Sequence, residues 1–477
     1  MFDKLKEECG VFGIFGHPEA SRMVYLGLYA LQHRGQESAG IASADGTRLL
    51  SSRAMGYVAD AFDEAELGRL AGTLAIGHVR YSTAGESKLA NAQPIRIDCV
   101  HGPIAICHNG NLVNAAELRE SLVKQGSIFQ TNSDTEVILH LYARSKAGSI
   151  EEALVEALSQ VRGAFSLALL TVDKLIAVRD PHGFRPLALG RLGDAWIATS
   201  ETCALDLIGA TWVRDVEPGE VFVVDSRAAR SLHPFPPARP AQCIFEHVYF
   251  ARPDSYIFGE SVNEIRTAFG RRLAREAPAE ADVIVPVPDS GVPAAIGFAR
   301  ESGIPYELGI IRNHYVGRTF IQPTQSIRDQ GVRMKHAANR AVVAGKRIVL
   351  VDDSIVRGTT SRKIVQMMRD AGAKEVHFRI ASPPITHPDY YGIDTPERDK
   401  LLAANHDLEG MRSFIGADSL AFLSVEGIYR AMGYEQRDPL RPQFTDHCFT
   451  GDYPTPLTDQ TGRETSPRQL SLLAEAG

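Results

Sequence analysis

Short apolar segments separated by Gly-rich turns dominate the first half of the chain. CGVFGIFG, TLAIGHVRYS, GPIAICHNGN, AFSLALLTVDKLIAVRD and EVFVVDS have the length and composition of sheet strands. Helical spacing appears between them, as in EEALVEALSQV. This alternation predicts two packed sheets flanked by helices. The second half changes rhythm. ADVIVPVP, RIVLVDD and EVHFRIAS read as strands apolar on both faces, and AAIGFARES and SRKIVQMMRDAGA read as the intervening helices. Apolar strands joined by crossover helices predict a parallel, doubly wound sheet. Between the halves, RSLHPFPPARPAQ is rich in Pro and Arg and breaks both periods, which puts a boundary within residues 231–241. The polar tail beyond residue 453 is expected to be poorly ordered.

A chain of 477 residues exceeds what one core accommodates, so two domains are expected. The net charge of -7 argues against general affinity for nucleic acid. No apolar run reaches membrane-spanning length, and MFDKLKEE lacks the apolar stretch of a secretory signal, so a cytoplasmic protein without a membrane partner is expected. The six cysteines, Cys9, Cys99, Cys107, Cys203, Cys243 and Cys448, contain no C-x-x-C pair and are expected as thiols, most of them core filler.

One segment reads as phosphate chemistry from its residues alone. In RIVLVDDSIVRGTTS, Asp352 and Asp353 end an apolar strand, where ligands bind in open α/β sheets. Ser354, Gly358, Thr359, Thr360 and Ser361 then lead into a helix whose free N–H groups suit a phosphate. Paired carboxylates beside such a loop suit ribose hydroxyls and Mg²⁺. An ordinary capped turn is the bland alternative, and it fits the ordered run of acids, Gly and hydroxyls less well. The segment resembles the signature of type I phosphoribosyltransferases, which bind phosphoribosyl pyrophosphate as a Mg²⁺ complex. The resemblance implies a phosphosugar site of Asp352, Asp353, Ser354, Arg357, Gly358, Thr359 and Thr360. It also implies that VPVPDSG grips the pyrophosphate, with Ser290 joining Asp352 and Asp353 around one Mg²⁺ per subunit. Alone, DSG is only a good turn.

Four further segments are polar, Gly-rich and interrupt apolar sequence, as loops carrying chemistry do: EECGVFG, LQHRGQESAG, GHVRYSTAG and CHNGN, with NSDTE soon after the last. Singly, Cys9 would be filler, Arg80 or Asp134 a surface ion pair, and HNGN a tight turn. Together they resemble the N-terminal-nucleophile glutamine amidotransferases. In that family a Cys becomes the first residue of the mature chain, and its own α-amino group is the base for the thiol. The resemblance makes residues 1–8 a propeptide and Cys9 the nucleophile. Asn109 and Gly110 would form the oxyanion hole, Arg80 would pair with the substrate α-carboxylate and Asp134 with its α-ammonium. Arg34 and Gly35 would line the same pocket.

An amidotransferase half followed by a phosphoribosyltransferase half is similar to the glutamine phosphoribosylpyrophosphate amidotransferases, the family that opens de novo purine synthesis. YVGRTFIQPTQSIRDQGVRMK (a closing loop in the family), CIFEHVYFARPDS, SPPITHPDYYGID, FLSVEGIYRAMG and CFTGDYPTP extend the match. The implied fold is an α+β N-terminal-nucleophile domain, an αββα sandwich, over residues 9–235. An α/β type I phosphoribosyltransferase domain with a parallel sheet follows over residues 236–453, and then a polar tail over residues 454–477. The implied reaction converts glutamine, phosphoribosyl pyrophosphate and water to 5-phosphoribosylamine, pyrophosphate and glutamate, with ammonia passing internally. Family members are homo-oligomers, usually tetramers, inhibited by purine nucleotides.

Two departures stand out. Propeptide-bearing relatives often hold a [4Fe–4S] cluster on four Cys thiolates. Cys243 and Cys448 match two ligand positions, but Asp389 and Thr445 occupy the others. No cluster is therefore expected. Ala337 and Ala338 replace the usual Asn-Pro after the closing loop, where a change of local stiffness and nothing catalytic is expected. Two rival readings fit less well. Glucosamine-6-phosphate and asparagine synthetases share the first half but lack VLVDDSIVRGTT, and a non-catalytic phosphoribosyl pyrophosphate sensor lacks the first half.

Overall fold

The computed structural model describes residues 9–81, 87–313 and 336–461, which form two compact units. One runs to Cys243 and takes in Asp389–Asp394 and the chain from Tyr453; the other comprises Ile244–Pro388 and Thr395–Asp452.

The first unit contains two antiparallel sheets. The seven-stranded sheet has the order Thr211–Asp215, Ala188–Leu192, Ala195–Thr199, Gly10–Phe15, Leu74–Arg80, Ser38–Ala44, Leu49–Met55. The six-stranded sheet runs Ala229–Leu232, Val221–Val224, Leu175–Arg179, Gly163–Leu170, Gly102–Leu112, Ile95–Cys99. Strand side chains alternate between faces, and this sorts the apolar residues into three layers. Val11, Ile76, Ala105, Cys107, Ala168 and Leu189 pack between the sheets. Phe12 and Ile14 face outward onto helix Ala20–Ala30 through Val24 and Leu28. Ile104, Ile106 and Leu167 face helices Thr135–Arg144 and Ile150–Leu158 through Val137 and Leu154. The result is the αββα sandwich. Helix Ile150–Leu158 shows the local logic. Ser149 caps it by accepting from Glu152 N–H, and Ala153, Leu154, Ala157 and Leu158 form its buried face.

The second unit holds a parallel four-stranded sheet in the order Val283–Pro286, Arg347–Asp352, Glu375–Ile380, Ser419–Phe422. Helices Val292–Ser302 and Thr359–Asp370 are its crossovers, as the apolar strands predict. Val285, Ile348, Leu350, Ile364, Met368 and Phe378 form its core. Ala337 and Ala338 lie on a short strand, His336–Ala338, paired with Ile310–Arg312.

The tail departs from its expectation over the residues described. Asp459 accepts from the N–H groups of Ala116 and Glu117 at 2.9 and 3.3 Å, satisfying donors that open helix Ala115–Lys124, and its own N–H meets Val113 O. One acidic side chain placed at a helix start anchors a segment whose composition alone reads as disordered. Residues 462–477 lie outside the described residues.

Candidate active site

Strand pairing sets the surroundings of Cys9. Gly10 lies opposite Val79, so Cys9 falls beside the end of strand Leu74–Arg80, with Sγ 3.5 Å from Tyr81 O. Cys9 itself is buried. A single turn, Gln32–Arg34, follows helix Ala20–Ala30 and delivers Arg34 to the same place. Its fully buried guanidinium donates to Cys9 O at 3.1 Å and to Glu201 Oε1 at 2.5 Å. Gly35 packs so tightly on the strand that a Cβ would stand 2.6 Å from Arg80 N. Arg80 and Ser38 are opposite one another across the adjoining pair, and Arg80 lies 3.9 Å from Glu37. The structure thus brings Cys9, Arg34, Gly35 and Arg80 together.

Asn109 and Gly110 lie on strand Gly102–Leu112 of the other sheet. HNGN is therefore neither a tight turn nor a loop, and GHVR likewise completes a strand. Flanking apolar residues carry the ladder through both motifs, and their polar side chains sit at strand positions. Ser200 joins the two sheets: its Oγ accepts from Val11 N–H at 3.0 Å and from Asn109 Nδ2 at 3.4 Å. Asn109 Oδ1 is buried without a hydrogen-bond partner among the described residues. Asp134 opens helix Thr135–Arg144, and its Oδ2 accepts from Leu112 N–H at 2.9 Å, tying it to the Asn109 strand. Cys107, two residues from Asn109, is core; burial, reinforced by nearby Cys9, holds its thiol well above the ordinary range.

Three residues without an assigned role in the sequence reading support this end of the unit. Ser200 and Glu201 follow strand Ala195–Thr199 and are completely buried. Buried polar residues continuing an apolar strand are costly unless bonded, and both are bonded, to Val11 and Asn109 and to Arg34 and His33. Glu136 accepts from the N–H groups of Gln130 and Thr131, both at 2.8 Å, and so shapes the loop before Asp134.

In the other unit, the central strand ends in Asp352 and Asp353, both buried. Asp353 N–H donates to Asp352 Oδ1 at 3.0 Å, and Ser354 Oγ to Asp353 Oδ2 at 2.5 Å. Gly358, at φ +76°, turns the chain into helix Thr359–Asp370 and supplies no side-chain cap. A Cβ there would lie 2.6 Å from Leu402 Cδ2. Thr359 and Thr360 open the helix. Arg357 Nε is buried without a hydrogen-bond partner among the described residues. The Ser290 loop approaches closely as well: a Cβ on Gly291 would stand 2.4 Å from Val351 O. Residues 1–8, 82–86 and 314–335, which include the expected propeptide, part of GHVRYSTAG and the closing-loop motif, lie outside the described residues.

At the expected cluster positions, Cys243 and Cys448 are buried thiols. Asp389 Oδ1 accepts from Tyr391 and Ile393 N–H at 2.7 and 2.8 Å, and Thr445 Oγ1 lies 2.7 Å from His447 Nδ1.

Residues 78–206 match the glutamine amidotransferase domain family and residues 259–382 the phosphoribosyl transferase domain family. The amidophosphoribosyltransferase of Rhizobium etli is 57% identical in an alignment covering 100% of this chain and 97% of that protein. That of Bacillus subtilis is 50% identical over 96% of each. The chain belongs to the amidophosphoribosyltransferase family. The solved Bacillus subtilis glutamine phosphoribosylpyrophosphate amidotransferase, complexed with ADP and GMP, superposes with a TM-score of 0.89 over 94% of this chain and 98% of that one, at 50% identity. Like the family, this enzyme uses glutamine, phosphoribosyl pyrophosphate and water to make 5-phosphoribosylamine, pyrophosphate and glutamate, the first step of de novo purine synthesis.

Proposed function

We propose that the residues gathered around Cys9 hydrolyse glutamine and that the Asp352–Thr360 segment holds phosphoribosyl pyrophosphate for attack by the ammonia released. Removal of residues 1–8 frees the α-amine of Cys9, which takes the thiol proton as Sγ attacks the glutamine side-chain amide. The Asn109 amide and Gly110 N–H stabilise the oxyanion. Arg80 meets the substrate α-carboxylate and Asp134 its α-ammonium, with Arg34 and Gly35 shaping the pocket. Ammonia leaves with the transferred proton, and water cleaves the thioester to glutamate. Ammonia then attacks C1 of the phosphosugar and pyrophosphate departs.

The observation that carries this reading is the shared Ser200 hydroxyl, which ties the strand that begins after Cys9 to Asn109. For the second site, the buried Arg357 nitrogen, without a hydrogen-bond partner among the described residues, and the helix after Gly358, which has no side-chain cap, suit a phosphate. Two buried carboxylates and a serine are hard oxygen donors of the kind Mg²⁺ takes, so Asp352, Asp353 and Ser290 fit one ion per subunit. When bound, it neutralises charge on the departing pyrophosphate. Asp352 and Asp353 also face the ribose hydroxyls, while Ser354, Arg357, Gly358, Thr359 and Thr360 surround the 5-phosphate.

The same reading includes a cytoplasmic homotetramer inhibited by purine nucleotides. The ADP and GMP named with the solved Bacillus subtilis relative support the last element. Among the described residues, no helix is long and apolar enough to cross a membrane. Intact-mass measurement of protein made in cells tests the nucleophile reading. The active species is expected to begin at Cys9, and glutamine-active protein that keeps residues 1–8 contradicts it.

A further inference from the structure

Residues Asp389–Asp394 interrupt the sequence of the phosphoribosyltransferase unit yet belong to the unit that contains Cys9. They lie on the strand carrying Asn109 and Gly110. Tyr390 O accepts from Asn111 Nδ2 at 2.9 Å, and Tyr391 O accepts from Arg185 Nε at 3.0 Å. The Tyr391 ring stacks on Phe184 at 4.4 Å between centroids, and its hydroxyl lies 2.9 Å from Thr455 Oγ1. Gly392 completes the contact. At φ +123°, a Cβ there would stand 3.1 Å from Gly110 Cα and 3.2 Å from its carbonyl carbon. Only a residue without a side chain lets this segment reach Gly110.

The segment's shape depends on one carboxylate. Asp389 Oδ1 accepts from both Tyr391 and Ile393 N–H, closing a turn around itself, and Arg185 Nη2 stands 3.8 Å away. Asp389, Tyr391 and Ile393 are all buried. By resemblance, cluster-bearing relatives would carry a Cys ligand at the position of Asp389. A thiol is a weak acceptor, whereas a carboxylate accepts two N–H bonds strongly.

We infer that Asp389 and Gly392 are positioning residues for glutamine hydrolysis: Asp389 shapes the segment by hydrogen bonds, and Gly392 seats it against Gly110 to hold the oxyanion-binding backbone. The inference rests on the proposed roles of Asn109 and Gly110. Displacing that backbone raises the barrier of the chemical step, because oxyanion donors act only when correctly placed. Arg80, which meets the substrate's other end, lies on a strand of the other sheet and keeps its position.

The test measures glutamine hydrolysis and ammonia-dependent synthesis of phosphoribosylamine on full-length processed enzyme. Asp389→Ala and Gly392→Ala are expected to lower kcat for glutamine roughly tenfold or more, with KM within about threefold and ammonia-dependent synthesis retained. Asp389→Asn keeps the acceptor oxygen and is expected to stay within about threefold of the parent, while Asp389→Cys is expected to behave like Asp389→Ala. Parent-like glutamine kcat in Asp389→Ala and Gly392→Ala, beside an inactive Asn109→Ala, overturns the inference and leaves the oxyanion reading standing. Equal loss of both activities marks a merely structural role and also overturns it. Full hydrolysis by Asn109→Ala overturns the oxyanion reading itself, and the inference with it.

Discussion

Arg34 and Glu201 form a completely buried ion pair, 2.5 Å from Nη1 to Oε1, and the same guanidinium holds the carbonyl of Cys9. The pair links the turn after the first helix to the end of strand Ala195–Thr199. His33 Nε2 lies 2.7 Å from the same carboxylate oxygen. Removing one member of a buried pair leaves the other charge without compensation, at a cost of about 3–5 kcal/mol. Glu201→Ala is therefore expected to lower unfolding free energy by about that amount in urea titration and to reduce glutamine hydrolysis further by loosening Arg34. Wild-type stability in Glu201→Ala would show that the pair contributes little.

Much of this architecture is legible in the chain. Each half announces its fold through its succession of elements: strand after strand between Gly-rich turns in the first, apolar strand and crossover helix alternating in the second. The Asp352–Thr360 loop is legible because its acids, glycine and hydroxyls are contiguous. Ser200 and Glu201 escaped assignment because their partners, Val11, Asn109 and Arg34, are distant in sequence and only sheet pairing brings them near. Asp389–Asp394 escaped for a related reason: nothing local reveals that six residues leave one unit to pack in another. The Asp459 anchor shows how one side chain that caps a helix can hold the described residues 454–461 against the composition of their segment.

Cys9→Ala is expected to abolish glutamine use while keeping synthesis from added ammonia, because the phosphoribosyltransferase half requires only an ammonia nucleophile. Paired assays with glutamine and with an ammonium salt check this. Glutamine hydrolysis at the parent rate would exclude Cys9 as the nucleophile.

Glu136 supplies a pH prediction. Burial pushes its carboxyl up, but the His140 imidazole 3.6 Å away and hydrogen bonds from the N–H groups of Gln130 and Thr131 and from the Thr131 hydroxyl outweigh this, bringing it down to about 2 from 4.5. A depressed folded-state pKa contributes stability that is present above the unfolded value and lost as pH falls through the folded one. Acid unfolding is thus expected to steepen between about pH 4.5 and 2, and Glu136→Gln is expected to flatten that limb. Superimposable acid-unfolding profiles for the two proteins would rule out this contribution.

Replacing Asp352 or Asp353 with Ala is expected to cripple phosphoribosyl transfer and spare basal glutamine hydrolysis. Both carboxylates are buried at the end of the central strand and are assigned to sugar and Mg²⁺, not to glutamine. Unchanged phosphoribosylamine formation in either variant, measured with saturating ammonia and Mg²⁺, would remove the basis for the sugar site.

The last prediction is that the enzyme carries no iron–sulfur cluster. A cubane cluster takes a ligand for each iron, normally a thiolate, and only Cys243 and Cys448 remain at the matching positions. The other two positions have been given over to hydrogen bonding. Asp389 spends one oxygen on Tyr391 and Ile393 N–H, and the Thr445 hydroxyl lies within hydrogen-bond reach of His447 Nδ1. His447 Nε2 is 3.5 Å from Cys448 Sγ, so the neighbouring imidazole also engages a side chain within its own segment. A site built from two thiolates, one carboxylate and one imidazole would hold iron weakly and oxidise readily. Purified protein is therefore expected to be colourless, stable in air and insensitive to iron-selective chelators. Protein prepared without oxygen should show neither broad absorbance at the visible–ultraviolet boundary nor stoichiometric iron and sulfide. Finding both would make Asp389 and His447 ligand candidates, and Asp389→Ala and His447→Ala would then be expected to release the iron.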